Sequence, residues 1–138
     1  MMCYTVSMNS QKTPWILFFL LVVLWALNSI AGIFDLYYMI SWYDLFMHTL
    51  GGIILGLISV VVLRKTPVLQ KMSPIHKILW IITCGILGGI AWEVFEYVQD
   101  VYLHTAMQIS VRDTATDIIA DTVGAGLVGI IYFLRKKL

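Results

Sequence analysis

The sequence predicts an all-α fold, a four-helix transmembrane bundle with both termini on the cytoplasmic side. Three observations carry this expectation. First, 60% of the 138 residues are hydrophobic and only 12% are charged, and the mean hydropathy is +0.88. A soluble domain buries its core with roughly half its residues apolar; here too few polar residues remain to cover a surface. Second, four stretches are long enough to cross a bilayer core of about 30 Å, which takes about 20 helical residues. Third, the basic residues gather on one side of those stretches.

The first stretch, 14–34, is apolar apart from Asn28 and Ser29. Its "SIA" at residues 29–31 resembles a signal-peptide cleavage site, but the apolar run continues past it, so the segment reads as a retained helix. The second, 43–63, spans only if Asp44 and His48 are included. The third, 78–97, must include Glu93 and Glu96, and the fourth, 113–134, must include Asp113, Asp117 and Asp121. No repeat, low-complexity tract or linker divides the chain. The expected organisation is a cytoplasmic tail at 1–13, a single four-helix membrane domain at 14–134 and a basic cytoplasmic C-terminus at 135–138.

Orientation follows from the tendency of Lys and Arg to stay on the cytoplasmic side. Lys12 precedes the first stretch, Arg64, Lys65, Lys71 and Lys77 lie between the second and third, and Arg135, Lys136 and Lys137 follow the fourth. With both termini inside, eight of the nine basic residues share the cytoplasmic side and only Arg112 does not. The expected location is the plasma membrane, multi-pass, with the 35–42 and 100–112 loops outside.

The eight acids show the opposite bias. Asp35, Asp44, Glu93, Glu96, Asp100, Asp113, Asp117 and Asp121 all belong to the outer loops or the outer halves of the last three helices. Asp35 and Asp100 read as solvated caps, and Asp113 suits a helix N-terminus, where the dipole favours a carboxylate. The deeper groups need another reason. A charged or strongly polar group near the bilayer centre costs on the order of 2.5–3.5 kcal/mol, so the cost of His48, Glu93, Glu96, Asp117 and Asp121 together would be on the order of 10 kcal/mol, comparable with a domain's whole stability. They must face the bundle interior and satisfy one another, a cation or water.

Helical spacing lets them converge. Asp44 and His48 are four apart, Glu93 and Glu96 three apart, and Asp113, Asp117 and Asp121 repeat every four. Each set therefore shares one face of its helix. Like charges at such spacing repel unless something positive is shared, either a divalent cation or protons. Carboxylates with one imidazole on facing helices form a known metal-ligand set in bundles. Oxygen-rich sites suit Mg, Mn or Ca, and the His admits Zn. The bland alternative is a buried polar cluster that only fixes helix register.

Other residues carry less. Gly52 and Gly56, Gly85 and Gly89, and Gly124, Gly126 and Gly129 read as close-packing positions between helices. Tyr37, Tyr38, Trp42, Tyr43, Tyr97 and Tyr102 read as an outer aromatic belt. Cys3 and Cys84 lack any paired spacing and read as free thiols; His76 and His104 are given no role.

Three stretches, "YDLFMHTLGG" (43–52), "GGIAWEVFEYVQD" (88–100) and "VRDTATDIIADTVGAGLVG" (111–129), resemble the VanZ-like group of small bacterial membrane proteins, and still more the YjdF-like membrane proteins placed near it. The pattern there is an acid or Lys followed by His, then Glu-x-x-Gln or Glu-x-x-Glu, then Asp-x-x-x-Asn/Asp-x-x-Gly. The matching positions are His48, Glu93, Glu96, Asp117, Asp121 and Gly124. Glu96 and Asp121 stand where many relatives have an amide, which makes this cluster more acidic. The resemblance covers about residues 35–132. It implies a link to low-level glycopeptide resistance for VanZ-like proteins and no assigned reaction for YjdF-like ones.

The reading reached from the sequence is an outward-facing site acting on a membrane lipid or lipid-linked substrate. Asp44, His48, Glu93, Glu96, Asp117 and Asp121 are the candidate ligands of a divalent metal, and the chain would be a metal-dependent hydrolase or transferase. Glu96 or Asp113 is the candidate general base, and Arg112 the candidate for an anionic headgroup, beside the plainer reading of an Arg–Asp surface pair. No Ser nucleophile elbow and no HExxH sequence is present. Nucleic acid is not an expected partner. One alternative is a proton or cation transporter, for which a homo-oligomer is expected because four helices are few for alternating access. Another is a non-enzymatic accessory subunit.

Overall fold

A backbone surrounded by apolar side chains must satisfy its own hydrogen bonds, and a helix does so within one segment. The structure, a computed structural model, describes residues 12–105, 107 and 110–135, and all its regular structure is helical. Six helices follow in order: α1 (Lys12–Ile33), α2 (Leu36–Met39), α3 (Tyr43–Lys65), α4 (Pro67–Gln70), α5 (Pro74–Leu103) and α6 (Val111–Leu134). Four of them, α1, α3, α5 and α6, are long and apolar enough to cross a membrane. The four-helix expectation therefore holds. Cys3, Lys136, Lys137 and most of the N-terminal tail lie outside the described residues, while Cys84 is a half-buried free thiol.

The boundaries have local causes. Ser73 caps α5, its hydroxyl accepting from the His76 N–H, and Pro74 occupies the first turn, where its missing N–H costs nothing. Ser110 caps α6 in the same way, accepting from the Asp113 N–H at 3.2 Å. The third spanning helix differs from the 78–97 segment read from hydropathy. It runs for 30 residues, about 45 Å at about 1.5 Å per residue. Polar Asp100 lies within it and folds the following loop back, accepting from Thr105 Oγ1 at 2.5 Å and the Met107 N–H at 2.8 Å. His104, with φ 54°, ends the helix in the left-handed region.

The core is built by three helices. α3 and α6 run in the same direction and pack closely, with α5 antiparallel against both. One apolar cluster, Val60, Leu63, Ile81, Ala125, Val128 and Tyr132, fills the half of this trio that lies toward the basic residues. α1 is peripheral: only Ala31 is buried, and Trp15, Phe18, Phe19 and Trp25 face outward. It leans on α3 through Leu24, Leu27 and Ala31 against Tyr43 and Met47. Tyr43 is buried rather than part of an interfacial belt, and its hydroxyl donates to the Leu27 carbonyl at 3.2 Å. Tyr37, half-buried, donates to Asn28 Oδ1 at 2.5 Å. Tyr38, Trp42, Tyr97 and Tyr102 remain exposed, as a belt requires.

Candidate functional site

The i,i+4 spacing of Asp44 and His48 puts both on the face of α3 that meets α5 and α6. His48 becomes the hub of the acidic cluster. Its Nδ1 lies 2.9 Å from Asp121 Oδ2. Its Nε2 lies 3.7 Å from Asp44 Oδ1 and 3.8 Å from Glu93 Oε1. His48, Glu93, Glu96, Asp117 and Asp121 are all 7% exposed or less, while Asp44 is only half-buried. Asp44 therefore forms the more open wall.

Two donor sets share the imidazole. One is Asp44, His48 and Asp117, the other His48, Glu93 and Glu96, and within each set the donor atoms lie within 4.8 Å of one another. Two ligands at about 2.0–2.2 Å from one ion stand at most about 4.4 Å apart. The spacings of His48 Nε2 from Asp44 and Glu93 meet that limit, so each set contains one pair of donors close enough to share a divalent cation. A neutral His48 that donates from Nδ1 to Asp121 keeps its Nε2 lone pair for the gap between the acids, the carboxylate–histidine arrangement that orients metal-ligating imidazoles. Asp121 thus sits behind His48 and belongs to neither donor set. Glu96 is aimed by a residue that sequence reading passed over: Trp92 Nε1 donates to Glu96 Oε1 at 2.8 Å, one helical turn away.

Asp121 can enter the helix interface because glycines surround it. A Cβ on Gly52 of α3 would overlap the Asp121 main chain, and one on Gly89 of α5 would stand 2.5 Å from Asp121 Oδ2. Gly124, one turn further along α6, lies against the Thr49 carbonyl with no room for a side chain. Close packing and the site are therefore one arrangement. Gly126 is different, because a side chain there would meet nothing within 4 Å, so it does not mediate helix contact.

Beside the cluster lies a cavity of about 580 Å³ between α1, α3 and α5. Its walls are mainly apolar, including Leu21, Leu24, Trp25, Ile54, Leu55 and Phe95. Asp44, His48 and Asp121 supply one polar wall, and Asn28 with Tyr37 supply another. Burial, and then the nearby Asp44 charge, push the Tyr37 phenol up, so it stays an O–H donor.

Six of the candidate site residues thus come together, and two do not. Asp113 stands half-buried in the first turn of α6 and is in neither donor set, although its charge reaches Asp44 and Asp117. Arg112 is exposed and makes no ion pair with Asp113 or any other acid among the described residues.

The match that places the chain among known proteins is to a family model described as a predicted membrane protein (DUF2238), and it covers residues 2–137. The chain belongs to this family. Membership agrees with the four spanning helices and supports a small membrane-protein family; it does not carry the VanZ-like or YjdF-like names. No curated protein and no solved structure matches the chain.

Proposed function

We propose that this member of the DUF2238 family is a membrane-embedded, metal-dependent hydrolase or transferase acting on a lipid or lipid-linked ester or phosphoester. The observation that carries the reading is the junction of two environments. An apolar cavity large enough for a lipid chain ends against Asp44, His48 and Asp121, which adjoin Glu93, Glu96 and Asp117. Ligand sites of about 300–1,000 Å³ with apolar walls and a few convergent polar groups are the usual form of a small-molecule pocket.

Asp44, His48 and Asp117, one of the two donor sets, would hold the cation, and Asp121 would fix the imidazole. A divalent ion there supplies Lewis-acid polarisation of an ester or phosphoryl oxygen. Glu96, oriented by Trp92, is the carboxylate assigned to take the proton from the attacking nucleophile. The apolar walls would seat the aliphatic part of the substrate and keep bulk water away. The basic residues at the opposite ends of the helices support an orientation with both termini cytoplasmic and the site toward the outer leaflet of the plasma membrane.

Transport is the rival reading. A path across the membrane from His48 would have to cross the aliphatic side chains of Val60, Leu63, Ile81, Ala125 and Val128, and the one titratable group in that cluster is the Tyr132 phenol. That favours a one-sided site. The test is turnover. Full-length protein loaded with Mg, Mn or Zn in vesicles of a total bacterial lipid extract should deplete particular lipid species, as read by mass spectrometry. His48→Ala protein in the same vesicles should not. Identical lipid composition with the two proteins, both folded and the first metal-loaded, contradicts the enzymatic reading.

A further inference from the structure

At the other end of the bundle the chain builds a second polar site, of opposite sign. A cavity of about 300 Å³ is lined by Leu63, Arg64, Gln70, Lys77 and Tyr132. His48 and Arg64 are sixteen residues apart on α3, so this cavity lies about 24 Å along the axis from the acidic cluster. Lys77 is nine-tenths buried. No ion pair or side-chain hydrogen bond reaches its ammonium among the described residues. None of the eight Asp and Glu side chains belongs to this end of the chain. The stem of Lys77 is buried while its ammonium is not among the fully buried polar atoms, so the charge is presented to the cavity, where an anion is its natural partner.

The surroundings suit one. The Arg64 guanidinium lies over the Tyr132 ring, 5.7 Å from its centroid, which holds a second cation at the cavity wall. Gln70 Nε2 donates to the Arg64 carbonyl at 2.5 Å and ties the α3–α4 junction to the same place. Lys77 also sits in the first turn of α5, where the helix dipole favours negative charge. Two cations of different kinds around a small cavity, one compact and one forked, match the oxygens of a phosphate group. Basic pockets between spanning helices commonly take such groups from lipid headgroups.

We infer that Lys77, Arg64 and Tyr132 form a phosphate-binding site, separate from the acidic cluster, that takes the phosphate of an anionic lipid headgroup or free phosphate. The purified full-length protein tests this through its melting temperature. One arm titrates inorganic phosphate in detergent against chloride of equal ionic strength. The other compares nanodiscs containing phosphatidylglycerol with nanodiscs of phosphatidylcholine alone. Saturable stabilisation by inorganic phosphate supports the site with free phosphate as a ligand, and stabilisation only by phosphatidylglycerol supports it with a headgroup as the ligand. In either case Lys77→Met and Arg64→Gln should each weaken binding at least tenfold. Arg64 is exposed, so Arg64→Gln remains decisive if Lys77→Met does not fold. No saturable effect in either arm, or unchanged affinity in Arg64→Gln, overturns the proposal.

Discussion

His48 Nδ1 stands 2.9 Å from Asp121 Oδ2, across the interface of two helices that run in the same direction. That bond turns Nε2 toward Asp44 and Glu93 and makes Asp121 a positioning residue for the imidazole. Asp121→Asn keeps the shape of the side chain and removes its charge. Loss of such an outer partner typically weakens metal binding about 10–100-fold. We expect that loss in a metal titration of Asp121→Asn, with helix content unchanged. Wild-type affinity in this variant would show that Asp121 does not orient His48.

The glycines next to Asp121 predict a contrast within one residue type. Gly89→Ala places a methyl 2.5 Å from Asp121 Oδ2, and overpacking of this kind costs about 1–3 kcal/mol. Gly126→Ala meets open space and gains about 1 kcal/mol of helix propensity. Thermal melts should therefore move in opposite directions, down for Gly89→Ala and level or up for Gly126→Ala. A Gly89→Ala protein as stable as the parent would mean that the Asp121 seat is not tight.

Asp117 separates a functional acid from a structural one. It is 3% exposed and shares a donor set with Asp44 and His48. Replacing a buried charge cluster with fitting apolar groups is often neutral or stabilising by about 1–4 kcal/mol. Asp117→Leu should insert and melt no lower than the parent in the absence of metal, yet bind metal at least tenfold more weakly. A large drop in melting temperature with unchanged metal binding would assign Asp117 to register alone.

The apolar walls of the cavity carry a prediction of their own. Leu55 lines the cavity and belongs to neither donor set. Leu55→Trp should fill that space and reduce turnover of long-chain lipid at least tenfold while metal binding stays within twofold. Equal loss of both would tie the cavity to stability instead of substrate.

Much of this was legible in the sequence, for reasons the residues make plain. A run such as 14–34 has no solution in water, so the number of spans followed from hydropathy alone. The convergence of His48 with Glu93 and Asp117 followed from the cost of leaving each one in lipid. What the sequence could not convey was depth and partner choice. Asp113, Asp117 and Asp121 form one regular series, yet Asp121 ends behind the imidazole, Asp117 within a donor set and Asp113 at the rim. A spacing of four fixes a face of the helix, not the distance to a neighbouring helix. Tyr37 and Tyr43 read as belt residues because an aromatic near a helix end fits that role, whereas Asn28 and the Leu27 carbonyl supply partners visible only once α1 packs. Trp92 lay four residues before Glu96 throughout, and that spacing was the available signal for their bond.

Orientation can be checked without reference to function. In a background with Cys3 and Cys84 replaced, Thr105→Cys should react with a membrane-impermeant maleimide in intact cells, and Val68→Cys only after lysis. Both positions are exposed, and they lie at opposite ends of the spanning helices. Labelling of Val68→Cys alone in intact cells would invert the assignment and put the acidic cluster on the cytoplasmic side.

The central claim is that the buried acids exist to hold a divalent cation through His48. Its most direct test is elemental analysis of full-length protein purified without chelator, together with Mn and Zn titrations of the parent and of His48→Ala. We predict about one tightly held divalent ion per chain in the parent, removed by chelator, restored on titration, and lost in His48→Ala with the helices intact. A parent protein that carries no divalent ion and binds none saturably, or a His48→Ala variant that binds as tightly as the parent, would contradict it.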